Sequence, residues 1–326
     1  MKNKHLLFLP LAALCLTSCA TGVRHDVSEY VLKKTLQYHD DFKILQLTDL
    51  HMGDKDYQDI HYKFLDLTIR DADPDFIVIT GDLFTVASRS TAKRMINFFN
   101  SKKIPWTVTF GNHDEQCYFS VDWLTSQLNS AGQYCYFKDI QDDDVSGNAN
   151  FAINIMDGST VFKQLIVMDS NRYCYGPKYV GYDYFKDNQI DWYKRLMNHN
   201  VNEYGGIVNS LMFYHIPLPE INDAWDNRAT AAYFEGEERE KTCPPDYNSG
   251  FFGVIKEQNS TQAMFFGHDH VNNFIVEYQG VIFAYGIKST DRVYFDEDMM
   301  GGRVITLKND QSLEFTAIYH TYEEVM

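Results

Sequence analysis

The sequence predicts an α/β fold, and three observations point that way. Between residues 42 and 110, apolar runs of strand length alternate at short intervals with segments of helical spacing, the pattern of a doubly wound sheet. The run Asp75-Phe76-Ile77-Val78-Ile79-Thr80 is almost continuously apolar, as expected of a parallel strand covered on both faces. Residues 151–156 and 164–168 then read as strands with little helix between them, which adds antiparallel pairing to the fold.

In order, residues 20–40 lack strong periodicity and read as a tether into a single domain spanning 41–320. Residues 42–48 form the first strand, which delivers Asp49 and His51. Residues 57–70 have helical spacing through Phe64, Leu65, Leu67 and Ile69, and stop at Asp71-Ala72-Asp73-Pro74. The next strand delivers Gly81-Asp82. A helix over 90–100 leads to a third strand, 106–110, followed by Gly111-Asn112-His113-Asp114. Helices are expected at 121–129 and 187–198, and Asp142-Asp143-Asp144 as an exposed turn. A strand at 207–214 delivers His215, and one at 261–266 delivers Gly267-His268-Asp269-His270. Short strands follow near 274–278, 281–285, 303–307 and 313–318. Residues 217–250, with four prolines and a charged run, read as a partly ordered rim over whatever the strand ends hold.

The 326 residues can bury a sizeable core, and the 15% aromatic content suits strand and core packing. A formal net charge of −16 repels nucleic-acid backbones, so a nucleic-acid partner is not expected. That charge also opposes an anionic substrate unless bound cations reverse its sign locally.

Five stretches share one shape: an apolar run, a sharp stop, then ligand-type side chains. They are Asp49-Leu50-His51, Gly81-Asp82, Gly111-Asn112-His113-Asp114, His215 and Gly267-His268-Asp269-His270. Open α/β sheets place their ligands at such strand ends. Each motif alone has a structural reading, as a hydrogen-bonded core histidine or a helix N-cap. Together they hold five of the eleven histidines, with carboxylates and an amide and no thiolate. Imidazole with oxygen donors suits Mn, Fe or Zn, and seven donors suit two ions rather than one. Asp82 is the best bridge, because a carboxylate has two oxygens and can join ions roughly 3.5–4 Å apart that generate a bridging hydroxide nucleophile. His113 neighbours the ligand Asn112 but points elsewhere, which suits a general acid. Asp114 either orients that imidazole or makes a loop hydrogen bond.

In order, these blocks resemble the signature of the calcineurin-like metallophosphoesterases. Residues 213–220, Asn248-Ser249-Gly250 and 267–272 resemble a narrower branch containing fungal and plant proteins labelled purple-acid-phosphatase-like. The resemblance implies a four-layer α/β/β/α sandwich of two mixed sheets and phosphoester hydrolysis. It implies one metal held by Asp49, His51, Asp82 and His270, and the other by Asp82, Asn112, His215 and His268, with His113 as acid. Thr85 stands where true purple acid phosphatases carry a tyrosine ligand, and His51 where they have glycine, so no purple iron–tyrosinate centre is expected. The expected substrate is a small phosphomonoester. A phosphodiesterase or nucleotidase, or a binding protein without catalysis, are the alternatives.

Lys2 and Lys4 precede an apolar run, 6–16, too short to span a bilayer well and laid out like a secretory signal. Leu16-Thr17-Ser18-Cys19 resembles the bacterial lipobox. This implies a signal peptide over 1–19, lipid on Cys19, and an exported lipoprotein of the cell envelope held to the membrane by that lipid. Such a compartment is oxidising. Cys117, Cys135, Cys174 and Cys243 then allow three pairings, and a Cys117–Cys135 bridge would stiffen the loop beside the site. The oligomeric state is not legible in the sequence.

Overall fold

The structure is a computed structural model that describes residues 24–54, 58–140, 144–176 and 179–326. Residues 1–19, expected to be a signal peptide ending at Cys19, and Asp142 and Asp143 lie outside the described residues.

From residue 42 to residue 129 the elements are those expected. Strand β1 (Leu36–Gln37) precedes β2 (Phe42–Leu47), α1 (Gln58–Ala72), β3 (Phe76–Thr80), α2 (Arg89–Ser101), β4 (Trp106–Thr109) and α3 (Val121–Asn129). The middle holds β5 (Phe151–Asp157), β6 (Thr160–Val167), a hairpin of β7 (Tyr173–Tyr175) and β8 (Val180–Tyr182), α4 (Asp187–Tyr204) and β9 (Ser210–Phe213). The last third holds α5 (Glu220–Asp226), β10 (Phe234–Glu235), α6 (Phe251–Gln258), β11 (Thr261–Phe266), β12 (Ile275–Tyr278), β13 (Val281–Tyr285), β14 (Gly301–Leu307) and β15 (Leu313–Tyr319).

Two large mixed sheets result. One has the order β15-β14-β2-β3-β4, the other β1-β5-β6-β9-β11-β13-β12-β10. Side chains along a strand alternate between faces. Ile153, Leu165, Leu211, Ala263 and Phe265 accordingly join the core shared with the first sheet. Their neighbours Ala152, Ile166, Met212, Met264 and Phe266 pack with Trp192 and Leu196 of α4 and Phe251 and Ile255 of α6. On the far side α1 lies against β14 and β15. The layers therefore run helix, sheet, sheet, helix. Among the described residues, no helix is long and apolar enough to cross a membrane.

Two expectations need correction. Residues 27–40 are more than a tether: a 3-10 helix (Val27–Tyr30) buries Tyr30, and β1 pairs in parallel with β5, Leu36 beside Ile155. A two-residue strand is too short to leave a periodic signal. The four remaining cysteines are all free thiols. Cys135 pairs with Trp106 at the start of β4, while Cys117 follows the end of that strand.

The segment 217–250 is a rim with real elements in it. It contains α5 and β10, and β10 adds the eighth strand by pairing antiparallel with β12.

Candidate metal centre

Register brings the motifs together. Leu47 pairs with Ile79 and Thr80 with Thr109, so β2, β3 and β4 end level. Val167, Phe213 and Phe265 align likewise across β6, β9 and β11. The residues just beyond these ends are Asp49, Asp82, Asn112, His215 and His268. Asp49, His51, Asp82 and His268 all have positive φ, between 46° and 81°. Non-glycine residues rarely adopt that region, and clusters of them mark sites where the fold enforces strain. Two glycines make room. A Cβ on Gly111 would collide with Asp82 Oδ1, and one on Gly267 with Thr48 Oγ1 and Asp49 Oδ2.

Both carboxylates have one oxygen fastened to the fold and one aimed inward. Asp49 Oδ2 accepts from Thr48 Oγ1 (2.8 Å) and from the His268 amide (3.1 Å). Its Oδ1 lies 3.3 Å from His270 Nε2 and 4.0 Å from His215 Nε2. Asp82 Oδ1 accepts from the His113 amide at 2.8 Å, while Oδ2 stands 3.2 Å from His215 Nε2 and 3.6 Å from His51 Nε2. The backbone thus occupies Oδ1 of Asp82, and Oδ2 is the oxygen that faces the histidines.

Three imidazoles are pinned in the same way. His215 Nδ1 meets Thr80 O at 2.8 Å, His270 Nδ1 meets Tyr294 O at 2.8 Å, and His51 Nδ1 meets Thr85 Oγ1 at 2.7 Å. An outer partner on one ring nitrogen, freeing the other, is what orients a metal-binding histidine. His51 Nε2 and His270 Nε2 then converge at 3.0 Å. Asp49, His51, Asp82 and His270 offer ligand atoms all within 4.8 Å of one another.

Whether the residues fit metal ions is tested by their unpaired atoms. Asp49 Oδ1, Asn112 Oδ1, His215 Nε2 and His268 Nε2 are buried without a hydrogen-bond partner. Leaving such atoms unmet costs about 1–3 kcal/mol each, so a fold does not gather four in one place without a ligand. Charge agrees. Burial pushes the Asp49 and Asp82 carboxyls up, but His270 beside Asp49 and His215 beside Asp82 outweigh it and hold both below the ordinary range. His215 is in turn held up at about 10: burial opposes its charge, and Asp82 and Asp49 prevail. Burial, then the neighbouring His215, pushes His268 down to about 3. Without an ion, the two buried carboxylates are offset by a protonated His215; bound cations would take over that role and leave its Nε2 free to ligate.

The residues expected at the centre are all there, but one role changes. Asp114 does not touch His113. Its Oδ1 accepts from the Phe84 amide (3.0 Å) and its Oδ2 from the Gly111 amide (2.8 Å), so the loop hydrogen bond is the correct alternative. Burial, then Asp82, pushes its carboxyl up to about 8. His113 is instead held by Gln116, Nδ1 to Oε1 at 2.8 Å, and its ring lies 5.1 Å from that of His51.

Sequence reasoning missed four further participants. Lys288 is buried and donates to Asp49 O at 2.9 Å, and Thr290 Oγ1 donates to Leu50 O at 2.8 Å, so one loop clamps the strained turn after β2. Tyr173 OH accepts from Asn112 Nδ2 (2.9 Å), which turns Asn112 Oδ1 inward, and the Tyr182 ring stands edge-on to His268 at 4.4 Å. Gln116, described above, could have been flagged by its closeness to His113; nothing in the sequence marked these four. The rim is tied to the last motif: Asn272 Oδ1 accepts from the Arg239 and Glu240 amides, and Asp269 Oδ2 from the Cys243 amide.

This fold and donor set define a metallophosphoesterase, and the chain belongs to the calcineurin-like phosphoesterase family, whose model matches residues 42–272. It is 31% identical over 314 residues to an Arabidopsis thaliana protein named probable inactive purple acid phosphatase 29, covering 86% of this chain and 78% of that one. It is 27% identical over 266 residues to the Saccharomyces cerevisiae phosphatase DCR2, across 72% of this chain and 44% of that protein. The crystal structure of a dimetal phosphatase from Danio rerio superposes with a TM-score of 0.52 at 15% identity, over 82% of this chain and 96% of that one, which shows a shared fold. Family and site together support a phosphatase-type, metal-dependent hydrolase.

Proposed function

We propose that the protein hydrolyses phosphoesters, phosphomonoesters foremost, with two metal ions. The observation that carries this reading is the gathering of Asn112 Oδ1, His215 Nε2 and His268 Nε2, buried without hydrogen-bond partners, around two carboxylates that each aim one oxygen inward. Asp49, His51, Asp82 and His270 would hold one ion, and Asp82, Asn112, His215 and His268 the other, with Mn, Fe or Zn matching the donors. Such ions supply Lewis acidity toward a phosphoryl group and acidify water near neutral pH. Asp82 Oδ2 faces both donor sets. The His113 ring is held at Nδ1 by Gln116, and in its imidazolium form it would give the second proton, on Nε2, to the departing oxygen and be left with the Nδ1 proton. We also propose export and lipid attachment at Cys19, to be tested by the mass of the mature N-terminus.

The test is hydrolysis by protein lacking residues 1–19 and loaded with Mn²⁺, Zn²⁺ or Fe, on an aryl phosphate monoester and the matching diester. Asp82→Asn is the control. Faster monoester turnover supports the phosphatase. Diester preference moves the reading to a phosphodiesterase. Two bound metals per chain with neither ester cleaved favours a binding protein.

A further inference from the structure

The hairpin of β7 and β8 belongs to neither large sheet. Its register sets Tyr173 opposite Tyr182, with ring centroids 5.4 Å apart and planes within 28°. Both are half-buried, and both touch the metal centre, Tyr173 through Asn112 and Tyr182 through His268. Beside them opens a cavity of about 630 Å³ whose walls include Tyr173, Tyr179, Tyr182, Lys241, Pro244 and Pro245. Tyr179 OH donates to Tyr182 O (2.6 Å) and accepts from the Asp246 amide (3.1 Å), so hairpin and rim form one wall.

We infer that this cavity receives the organic part of the substrate, and that this part carries a flat aromatic or heteroaromatic ring of nucleoside size. The inference rests on the hydrolase reading above for the phosphate end. The cavity lies within the roughly 300–1,000 Å³ of small-molecule sites, and is far larger than glycerol needs. Tyr173, Tyr179 and Tyr182 line it, and an aromatic wall favours another planar ring, since ring pairs attract beyond the area they bury. Lys241 offsets Asp246, so the wall does not repel an anion as the surface at large does.

The test has an arm that needs no turnover. In saturation-transfer NMR on metal-loaded protein, the ring protons of adenosine receive saturation, ribose receives none, Tyr182→Ala abolishes the signal and Tyr182→Phe keeps it. In kinetics, adenosine 5′-monophosphate exceeds ribose 5-phosphate in kcat/KM by about tenfold, the size of one stacked base, and Tyr182→Ala brings the ratio toward one. No saturation of adenosine, or a signal and ratio unmoved by both Tyr182→Ala and Tyr179→Ala, overturns the inference. Hydrolysis without ring preference removes the cavity assignment and leaves the hydrolase. Adenosine binding with no ester cleaved does the reverse.

Discussion

Gln116 holds His113, three residues earlier in the chain, through a 2.8 Å contact between Oε1 and Nδ1. The amide oxygen accepts, so Nδ1 carries a proton and Nε2 is the nitrogen left for proton transfer. A neutral partner fixes the tautomer without adding charge, in contrast to the carboxylate that orients histidine in many hydrolases.

His113→Ala is expected to lower kcat on alkyl phosphates by about a hundredfold or more, and much less on activated aryl phosphates, which leave without a proton. Gln116→Leu should show the same leaving-group bias, weaker, because the ring is present but unheld. Metal content by mass spectrometry should stay constant in both. Equal losses on the two ester types would remove the general acid.

Asp114 serves the loop, not the imidazole. Asp114→Asn keeps one acceptor and turns an amide N–H₂ toward a backbone N–H, at a cost of about 2 kcal/mol. Urea unfolding should register that loss, while the alkyl-to-aryl rate ratio stays at the wild-type value. A changed ratio with unchanged stability would reinstate Asp114 as the orienting group.

Gly267→Ala forces a methyl into Thr48 and Asp49. Displacing Asp49 by about 1 Å is expected to lower activity by about a hundredfold. Far-UV circular dichroism should be unaltered and metal stoichiometry reduced. Full activity in this variant would mean that the strained turn after β2 yields freely.

Lys163 on β6 offers a pH test away from the centre. Its ammonium is buried against Gln262 Oε1 and Gln311 O, and burial pushes it down to about 8. The unfolded chain keeps that proton to higher pH than the folded one, so this group adds stability as pH rises from about 8 toward the ordinary lysine range. Measured against Lys163→Met by urea unfolding, wild type should gain between pH 8 and 10 and show no relative change between pH 6 and 7. A difference independent of pH throughout would contradict a depressed Lys163.

Chelation should lower the melting temperature by several degrees, and reloading should restore it, since ligands that bind only the folded state stabilise it. Asp82→Asn should bind fewer than two ions per chain. An unchanged melting curve after complete metal removal would argue against the centre.

The parallel strands and every donor were legible because each donor follows an apolar run directly, and a strand end is a local signal. Roles that depend on contacts between distant segments were not. Lys288 meets Asp49 across 239 positions of sequence. Tyr173 and Tyr182 sit in a hairpin of two three-residue strands among glycine and polar residues, too short for alternation to show. Asp114 illustrates a different limit: its residue type suits both candidate roles, and only the acceptor geometry separates them.

The donors lie within a few residues of their strand ends, before the connecting segments begin to wander. Insertions and deletions farther along those connections can accumulate without shifting the reacting groups. On the proposed reading, laboratory diversification confined to the hairpin and the 217–250 rim would explore new ligands on an unaltered donor framework.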